Sequence, residues 1–183
     1  MAILLAKNGG LYMLMKAFLA LIFAFSCFGL TLDYDTFEAS FVQTVKNKSG
    51  KKIEYSGKIV AKKPGLALWE YTKPVRKSVY IKDESVIVYE PELSQAKYLR
   101  KKGNISLDSI LKNAKSEGAN EYSAKDGDIT YRFKVSDNMI ERLHYKDSLE
   151  NDTEIVFKER KKNIAIKNST FDFKPSPDID IVK

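Results

Sequence analysis

The chain of 183 residues contains a single cysteine, Cys27, and a single histidine, His144. A disulfide within the chain is therefore excluded, and so is a zinc site built from several cysteines and histidines. A Cys-His or Ser-His catalytic pair would have to use His144 itself. The sequence also lacks a P-loop, a GxGxxG motif, a GxSxG elbow and an HExxH motif. These absences argue against an enzyme, and they predict no catalytic residue, no cofactor and no metal site.

The charge balance favours a solvated surface over a nucleic-acid site. Thirty-one basic residues against 24 acidic ones give a formal net charge of +7. The basic residues are spread along the chain and interleaved with acidic ones, which is typical of an ordinary soluble surface. We therefore expect no nucleic-acid partner. A basic face that meets anionic membranes or acidic partners is the remaining alternative.

The start of the chain has the features of an export signal. Residues 15–29, "MKAFLALIFAFSCFG", place a lysine before a run of about a dozen apolar residues that ends in small residues. This run is too short for a comfortable membrane span. Residues 1–14 would then be an upstream extension, and Met15 would be the first residue of the protein as it is translated. Cleavage after Gly29 predicts an exported domain over residues 30–183.

Cys27 leaves two alternatives open at this end. The cysteine follows "AFS", which resembles a lipoprotein processing box, and a lipidated Cys27 would anchor the protein to a membrane. Ala24 and the bulky Phe25 fit that pattern poorly. An uncleaved leader acting as an anchor is the other alternative. Soluble export after cleavage is the preferred interpretation.

Most of the remaining chain alternates apolar and polar residues with a period of two, which is the signal of antiparallel strands. Turn residues separate the runs, and the short turns favour a meander of neighbouring strands. The predicted strands or hairpins cover residues 53–61, 78–90, 128–135, 138–145, 153–160 and 168–175.

Helical sequence is scarce. Residues 105–118 form the one good helix candidate, with an apolar stripe and a glycine after its end. A short helical turn is also expected within residues 31–41, ahead of a strand. Eight to eleven strands with one apolar face cannot be covered by so little helix. The sheet must close into a barrel, fold into a packed sandwich, or curl into an open half-barrel with a helical lid. The pattern leaves a fully packed core and a cavity-bearing sheet both open.

Five segments in order resemble one protein family. The first is "FVQTV" (41–45), and "KKPGLALWEYTKP" (62–74) follows with a basic-Pro stretch before Trp-x-Tyr-x-x-Pro. Next come "VYEPELSQ" (88–95) and the strand–turn–strand segment "IERLHYKDSLENDTEIVF" (140–157). "FDFKPSPDIDIV" (171–182) is last. From Phe37 to Val182 the chain resembles the LolA family of periplasmic outer-membrane lipoprotein carriers.

The resemblance implies a mainly β fold: one curved antiparallel sheet, an unclosed half-barrel, with short helices as a lid over an apolar cavity. It implies a carrier that binds the acyl chains of lipoproteins released from the inner membrane and delivers them to the outer membrane. The partners would be acylated lipoproteins, an inner-membrane lipoprotein-releasing transporter and an outer-membrane acceptor, with the carrier itself a monomer. The alternative is a membrane-anchored acceptor or envelope scaffold of the same half-barrel type, lipidated at Cys27. An enzyme acting on lipid or cell wall is the third, disfavoured, possibility.

The resemblance also assigns roles to particular residues. Lys63 stands where the family usually has an arginine that hydrogen-bonds lid backbone and holds the empty cavity shut. An ammonium offers a point charge in place of the planar five-donor fork of a guanidinium. The expected acyl-chain cavity is lined by Trp69, Tyr71, Tyr80, Val88, Phe133, Leu143 and Phe157. The expected lid helix uses Leu107, Ile110 and Leu111. For each of these residues, ordinary core packing or, for Lys63, a solvated turn is the alternative.

Four further residues are interpreted as ordinary structure, and a fifth departs from the family pattern. Asp147, Asn151 and Thr153 are expected to provide turn chemistry between two strands. His144 is expected on the surface, on the face opposite Leu143. Glu150 stands where the family commonly has a glycine.

Overall fold

The computed structural model describes residues 32–82, 84–100 and 107–182 of the chain. Twelve strands lie within these ranges: β1 (Thr36–Lys46), β2 (Lys52–Lys62), β3 (Leu66–Lys73), β4 (Lys77–Lys82), β5 (Ser85–Glu90), β6 (Gln95–Arg100), β7 (Lys115–Gly118), β8 (Glu121–Asp126), β9 (Ile129–Ser136), β10 (Met139–Lys146), β11 (Asp152–Lys162) and β12 (Asp180–Val182). They are joined by one α-helix, α1 (Leu107–Lys112), and two 3-10 turns, Pro91–Leu93 and Asn168–Phe171.

All twelve strands form a single sheet in the order β12-β6-β5-β4-β3-β2-β1-β11-β10-β9-β8-β7. Every neighbouring pair is antiparallel except β12 and β6, which run parallel. β12 and β7 lie at opposite ends of this order, so the sheet is unclosed. The prediction of one large unclosed antiparallel sheet with few helices is confirmed, and the closed barrel and the sandwich are excluded.

The sheet curves, and its geometry identifies the concave face. β3 and β11 are three strand spacings apart, which corresponds to roughly 14 Å in a flat sheet. The ring centroids of Trp69 on β3 and Phe157 on β11 are nevertheless only 6.1 Å apart. Side chains on this face therefore converge, as they do inside a half-barrel. We call it the concave face, and its register partners in one transverse row are Ala39, Ile59, Trp69, Val79 and Val88.

The opposite, convex face is covered in part by the segment that follows β11. Phe171, in the second 3-10 turn, is 1% exposed. Phe173 packs among Tyr80, Tyr89 and Tyr98, with ring centroids 5.3 to 6.4 Å apart. The prediction of a strand over residues 168–175 was wrong. The spacing of the two phenylalanines fits an irregular segment that lies on the sheet, and Pro175 and Pro177 cannot donate to a strand ladder.

The helical predictions need two corrections. The candidate helix over residues 105–118 ends early, because residues 115–118 form edge strand β7; residues 105 and 106 lie outside the described ranges. The helical turn expected within residues 31–41 is absent from residues 32–35, and β1 begins at Thr36. In the part of the chain that the structure describes, no helix is long and apolar enough to cross a bilayer.

The turn between β10 and β11 has the chemistry expected from its sequence. The Asp147 carboxylate accepts hydrogen bonds from the backbone N–H groups of Leu149 and Asn151, and from the Asn151 side-chain amide, each at 2.9 Å. These bonds hold the pKa of Asp147 below its ordinary value, the Asn151 side chain contributing most. Thr153 begins the buried part of β11, at 2% exposure.

Candidate functional site

The centre of the concave face is a cluster of aromatic rings around Phe41. Phe41 is 1% exposed, and its ring makes edge-to-face contacts with Trp69 and Tyr71, both with centroids 5.1 Å away. Gly57 on the intervening strand β2 makes these contacts possible. A Cβ atom at Gly57 would lie 2.0 Å from the Glu70 carbonyl oxygen and 3.0 Å from the Phe41 ring. The missing side chain lets rings from β1 and β3 meet across β2.

Six of the seven residues predicted to line a cavity lie on this concave face. Trp69, Tyr71 and Val88 lie on β3 and β5, and Phe133, Leu143 and Phe157 lie on β9, β10 and β11. The structure does not bring Tyr80 to them. Tyr80 pairs with Leu68 and Ile87, while its neighbour Val79 pairs with Trp69, so Tyr80 points to the convex face.

Helix α1 and residues 32–35, the segment directly before β1, cover one half of the concave face. Phe133, Leu143 and Phe157 are at most 7% exposed there, and they share a core with Ile110 and Leu111 of α1. Leu32 and Tyr34 join the same core from the segment that precedes β1. The side chain of Leu107, the third predicted lid residue, lies outside the described part of the chain.

The other half of the concave face, over β3 to β6, is apolar but less covered. Trp69 is half-buried and borders the core. Beyond it the face continues through Val79, Ile81, Val86 and Val88, all half-buried, to Leu99, which is 46% exposed. We call these six residues the apolar strip. The strip joins the aromatic centre directly, so the concave face combines a packed half with an apolar half in contact with solvent.

Lys63 contacts the N-terminal segment. Its ammonium donates to the Leu32 carbonyl oxygen at 3.0 Å and lies 5.7 Å from the centroid of the Tyr34 ring. The Lys63 backbone N–H donates to the Asp35 carbonyl at 2.8 Å. The predicted latch residue therefore holds a non-helical segment that packs over the concave face.

Burial perturbs the tyrosines of the concave face. Loss of solvent raises the pKa of Tyr71 to about 12, with smaller contributions from Tyr145 and Tyr55. The same cause raises the pKa of Tyr34 and of Tyr145. The Tyr71 hydroxyl donates to the Gln43 side-chain oxygen at 3.0 Å. These hydroxyls stay neutral at physiological pH and act as hydrogen-bonding groups at the margin of an apolar surface.

The sequence prediction missed several residues of the site. Leu32, Tyr34, Phe41 and Ile59 belong to the buried core of the concave face or pack against it. The alternation along residues 37–41 and 53–61 placed Phe41 and Ile59 on inward positions, so this signal was present in the sequence. Leu32 and Tyr34 precede the first strand, and no periodicity indicated that they fold back over the sheet.

Other grooves and polar clusters lie away from the concave centre. A groove of about 1190 Å³ runs along the β7–β9 edge, and its walls of mixed polarity include Arg132, His144 and Phe133. His144 lies 2.5 Å from the Asp152 carboxylate, on the exposed side as predicted. A groove of about 1060 Å³ borders Phe173 on the convex side. The described residues contain no group of three or more histidine, cysteine, aspartate and glutamate side chains able to hold a metal ion.

The fold is also found in solved structures, among them the following two. A LolA superfamily protein from Nitrosomonas europaea superimposes with a TM-score of 0.52 at 13% identity, covering 79% of this chain and 93% of that one. An uncharacterised conserved protein from Thermus thermophilus gives the same TM-score at 13% identity, covering 82% and 91%. At these identities the likeness concerns the fold alone.

Sequence relatives identify the family. The family model for the outer membrane lipoprotein carrier protein LolA matches residues 33–122. The chain is 33% identical over 149 residues to an outer-membrane lipoprotein carrier protein of Wolinella succinogenes, covering 81% of this chain and 87% of the relative. A protein of the same name from Helicobacter pylori is 36% identical, covering 81% and 80%. Another from Campylobacter jejuni is 32% identical, covering 88% and 95%. The chain therefore belongs to the LolA family of outer-membrane lipoprotein carriers.

Proposed function

We propose that this protein is a periplasmic carrier that binds the acyl chains of lipoproteins on its concave face. It accepts them from an inner-membrane lipoprotein-releasing transporter and passes them to an outer-membrane acceptor. The observation that carries this proposal is the apolar strip, which continues the aromatic centre through half-buried side chains to the exposed Leu99 and is bordered on β6 by Lys97. A strip of this kind needs an apolar occupant, and the family membership indicates which one.

The energetics require a carrier of this type. Each buried CH₂ group contributes about 0.8 kcal/mol, so a chain of roughly sixteen carbons represents about 12 kcal/mol of transfer free energy. A lipoprotein carries several such chains, and its spontaneous transfer through water would be negligibly slow. A carrier has to offer apolar surface and still release its cargo. A concave face that is packed on one half and open to solvent on the other meets both requirements. On the open half the cargo displaces water and does not have to disrupt a complete core.

The covered half of the face supplies the lid. For the acyl chains to reach Phe133 and Phe157, α1 and the N-terminal segment have to move away from the sheet. The Lys63 ammonium holds the start of that segment by one hydrogen bond to the Leu32 carbonyl at 3.0 Å, and breaking this bond costs little. The hydrogen bond from the Lys63 backbone to Asp35 can stay in place as the hinge of the movement. Lys63 thus acts as the latch of the empty carrier, with fewer donors than the arginine that the family resemblance implies at this position.

The proposal includes export and the absence of catalysis. The leader over residues 15–29 is removed, and the mature protein stays soluble with an unmodified N-terminus near Leu30. The family is one of carriers, and no catalytic step is needed for transfer. Mass spectrometry of the mature N-terminus tests this part: an acylated Cys27 would favour the anchored acceptor in place of the soluble carrier.

Depletion of the protein tests the transport function. Outer-membrane lipoproteins should then accumulate in the inner membrane, and expression of the wild-type chain should restore their sorting. Val88→Glu, which places a charge in the apolar strip, should fail to restore it. Ile87→Glu is the matched control, because Ile87 is also half-buried on β5 but points to the convex face.

Both variants must fold, as judged by far-UV circular dichroism, for this comparison to count. Normal lipoprotein sorting in depleted cells that have no second carrier would refute the proposed function. Equal failure of two folded variants would refute the placement of the cargo on the concave face.

A further inference from the structure

Positive charge is concentrated at one end of the sheet, in two neighbouring turns. Residues 46–52 connect β1 to β2, and residues 73–77 connect β3 to β4; β2 and β3 are paired in the sheet. These twelve residues include seven lysines and arginines and no acidic residue. All of them are exposed except Lys77, which is half-buried. We call these twelve residues the basic rim.

Few of these charges are neutralised. Within the described ranges, Lys48 is the one rim cation with an acidic partner within 4 Å, the Glu150 carboxylate at 3.2 Å. That pair is itself exposed, and it ties the rim to the neighbouring β10–β11 turn. The two turns of the basic rim therefore carry a local excess of positive charge that faces solvent, whereas the other turns at this end, residues 90–95, 126–129 and 146–152, carry the acidic residues.

Exposed apolar side chains cluster at the same end. Among the described residues, six large apolar side chains are exposed, and four of them lie in or beside turns at this end: Ile53, Val75, Leu93 and Leu149. Val75 lies within the basic rim and is 47% exposed. Leu149 is 72% exposed in the turn that Asp147 holds in place. Leu93 and Leu149 lie in turns that contain acidic residues, whereas Val75 lies within the basic rim and Ile53 directly follows it. Single exposed apolar residues are common, but apolar side chains among unpaired cations mark a contact surface.

Tyrosines line the concave face just inside this end. The Lys77 ammonium lies 4.5 Å from the centroid of the Tyr71 ring and 5.9 Å from that of Tyr55. The two rings meet edge to face at 6.0 Å. Tyrosine has an apolar body and a polar tip, and it is enriched where proteins meet the boundary between lipid and water.

We propose that the basic rim, with the apolar tips beside it, docks on the surface of an anionic phospholipid bilayer. The cations meet the headgroups, and Val75, the exposed apolar residue within the rim, enters the boundary layer beneath them. A bilayer surface supplies both complements, negative charge and an adjoining apolar layer, along one flat plane. The rim lies at the far end of β2 from Lys63, roughly 34 Å away along the eleven-residue strand. Docking would therefore leave the latch free and bring the rim end of the concave face next to the lipid.

Vesicle binding by the cargo-free protein, expressed from the complete chain, tests this inference independently of the proposed acyl-chain site. The probes are vesicles of phosphatidylcholine alone and of phosphatidylcholine with 30% phosphatidylglycerol, compared by flotation at about 0.1 M salt. Each basic residue near an anionic surface contributes roughly fivefold in partitioning. Lys51→Gln/Lys52→Gln should therefore weaken binding to the anionic vesicles about 25-fold, and Val75→Ser should weaken it several-fold. Salt at about 1 M should abolish binding.

The matched control is Lys158→Gln/Lys167→Gln, which removes the same charge elsewhere. Both lysines are exposed; Lys158 lies six residues along β11 from the rim end, roughly 20 Å away, and Lys167 follows the far end of β11. Circular dichroism and thermal midpoints should match wild type for both double variants. Equal weakening by the two double variants would overturn the proposal, since net charge alone would then explain binding.

Absence of wild-type binding to anionic vesicles would overturn it as well. If the rim variant then lost binding to protein-containing membranes, the rim would be a docking site for an acidic protein and not for lipid. Binding that survives both the rim substitutions and high salt would show that lipid contact occurs elsewhere on the chain.

Discussion

Replacement of Phe41 by leucine tests the aromatic centre of the concave face. Phe41 is 1% exposed and makes edge-to-face contacts with Trp69 and Tyr71. Such ring pairs contribute about 0.5–1.5 kcal/mol each beyond buried area, so loss of two should cost about 1–3 kcal/mol. Leucine retains most of the apolar volume, and a folding free energy of roughly 5–15 kcal/mol tolerates this loss.

Phe171→Leu provides the comparison on the convex face. Phe171 is also 1% exposed, but among the described residues it takes part in no aromatic ring pair. Its replacement should cost less than about 1.5 kcal/mol, the usual limit for a swap that nearly conserves volume. Urea denaturation followed by far-UV circular dichroism measures both costs.

Trp69 emission separates the two faces independently of stability. The spectrum of the folded Phe41→Leu protein should shift, because the leucine removes a ring in contact with the indole. The spectrum of folded Phe171→Leu should stay as in wild type. Equal unfolding costs, together with an unchanged Trp69 spectrum in Phe41→Leu, would show that the rings around Phe41 do not form the coupled centre described here.

Three other changes test separate parts of the structure. Gly57→Ala should cost at least ~3 kcal/mol of folding free energy in urea denaturation, because its Cβ would lie 2.0 Å from the Glu70 carbonyl oxygen; a loss under ~1 kcal/mol would contradict the close approach. The raised pKa of Tyr71 stabilises the folded protein below pH 10, and this contribution should be lost as pH rises from 10 to about 12; tyrosinate absorbance that develops fully at pH 10, before unfolding, would refute it. Lys63→Met should lower the free energy of unfolding by about 0.5–1.5 kcal/mol and speed amide hydrogen exchange in the segment that begins at Leu32. Lys63→Arg should restore both values to the wild-type level. Unchanged amide exchange in Lys63→Met would show that the ammonium does not stabilise this segment.

The strands were predictable because each carries its own period-2 pattern. Residues 53–61 and 78–90 became β2 and the β4–β5 hairpin, and the side-chain alternation around Trp69 gave the correct face. The scarcity of helix also indicated that one face would be under-covered. These patterns are local properties of the sequence. The folded sheet retains them because burial of one face fixes the register of each strand.

The errors arose where tertiary contacts decide the structure. Tyr80 is a large aromatic residue of the kind that lines apolar cavities. Its position in the strand register, however, directs its side chain toward Phe173 on the convex face. Residues 168–175 alternate like a strand, but they lie across the convex face, where Phe173 packs against the rings of Tyr80, Tyr89 and Tyr98. The fold of Leu32 and Tyr34 over the core depends on contacts with residues far along the chain, such as Lys63. No local pattern encodes such contacts.

Isolation of the protein from the cell envelope, followed by mass spectrometry of what accompanies it, tests the central proposal most directly. We predict that acylated lipoproteins co-purify with the wild-type protein. Their amount should fall strongly in Val88→Glu and stay near the wild-type level in Ile87→Glu, because only Val88 belongs to the apolar strip. Recovery of the protein without any acylated lipoprotein from cells that are actively exporting them would contradict the proposal that this concave face carries lipoprotein acyl chains.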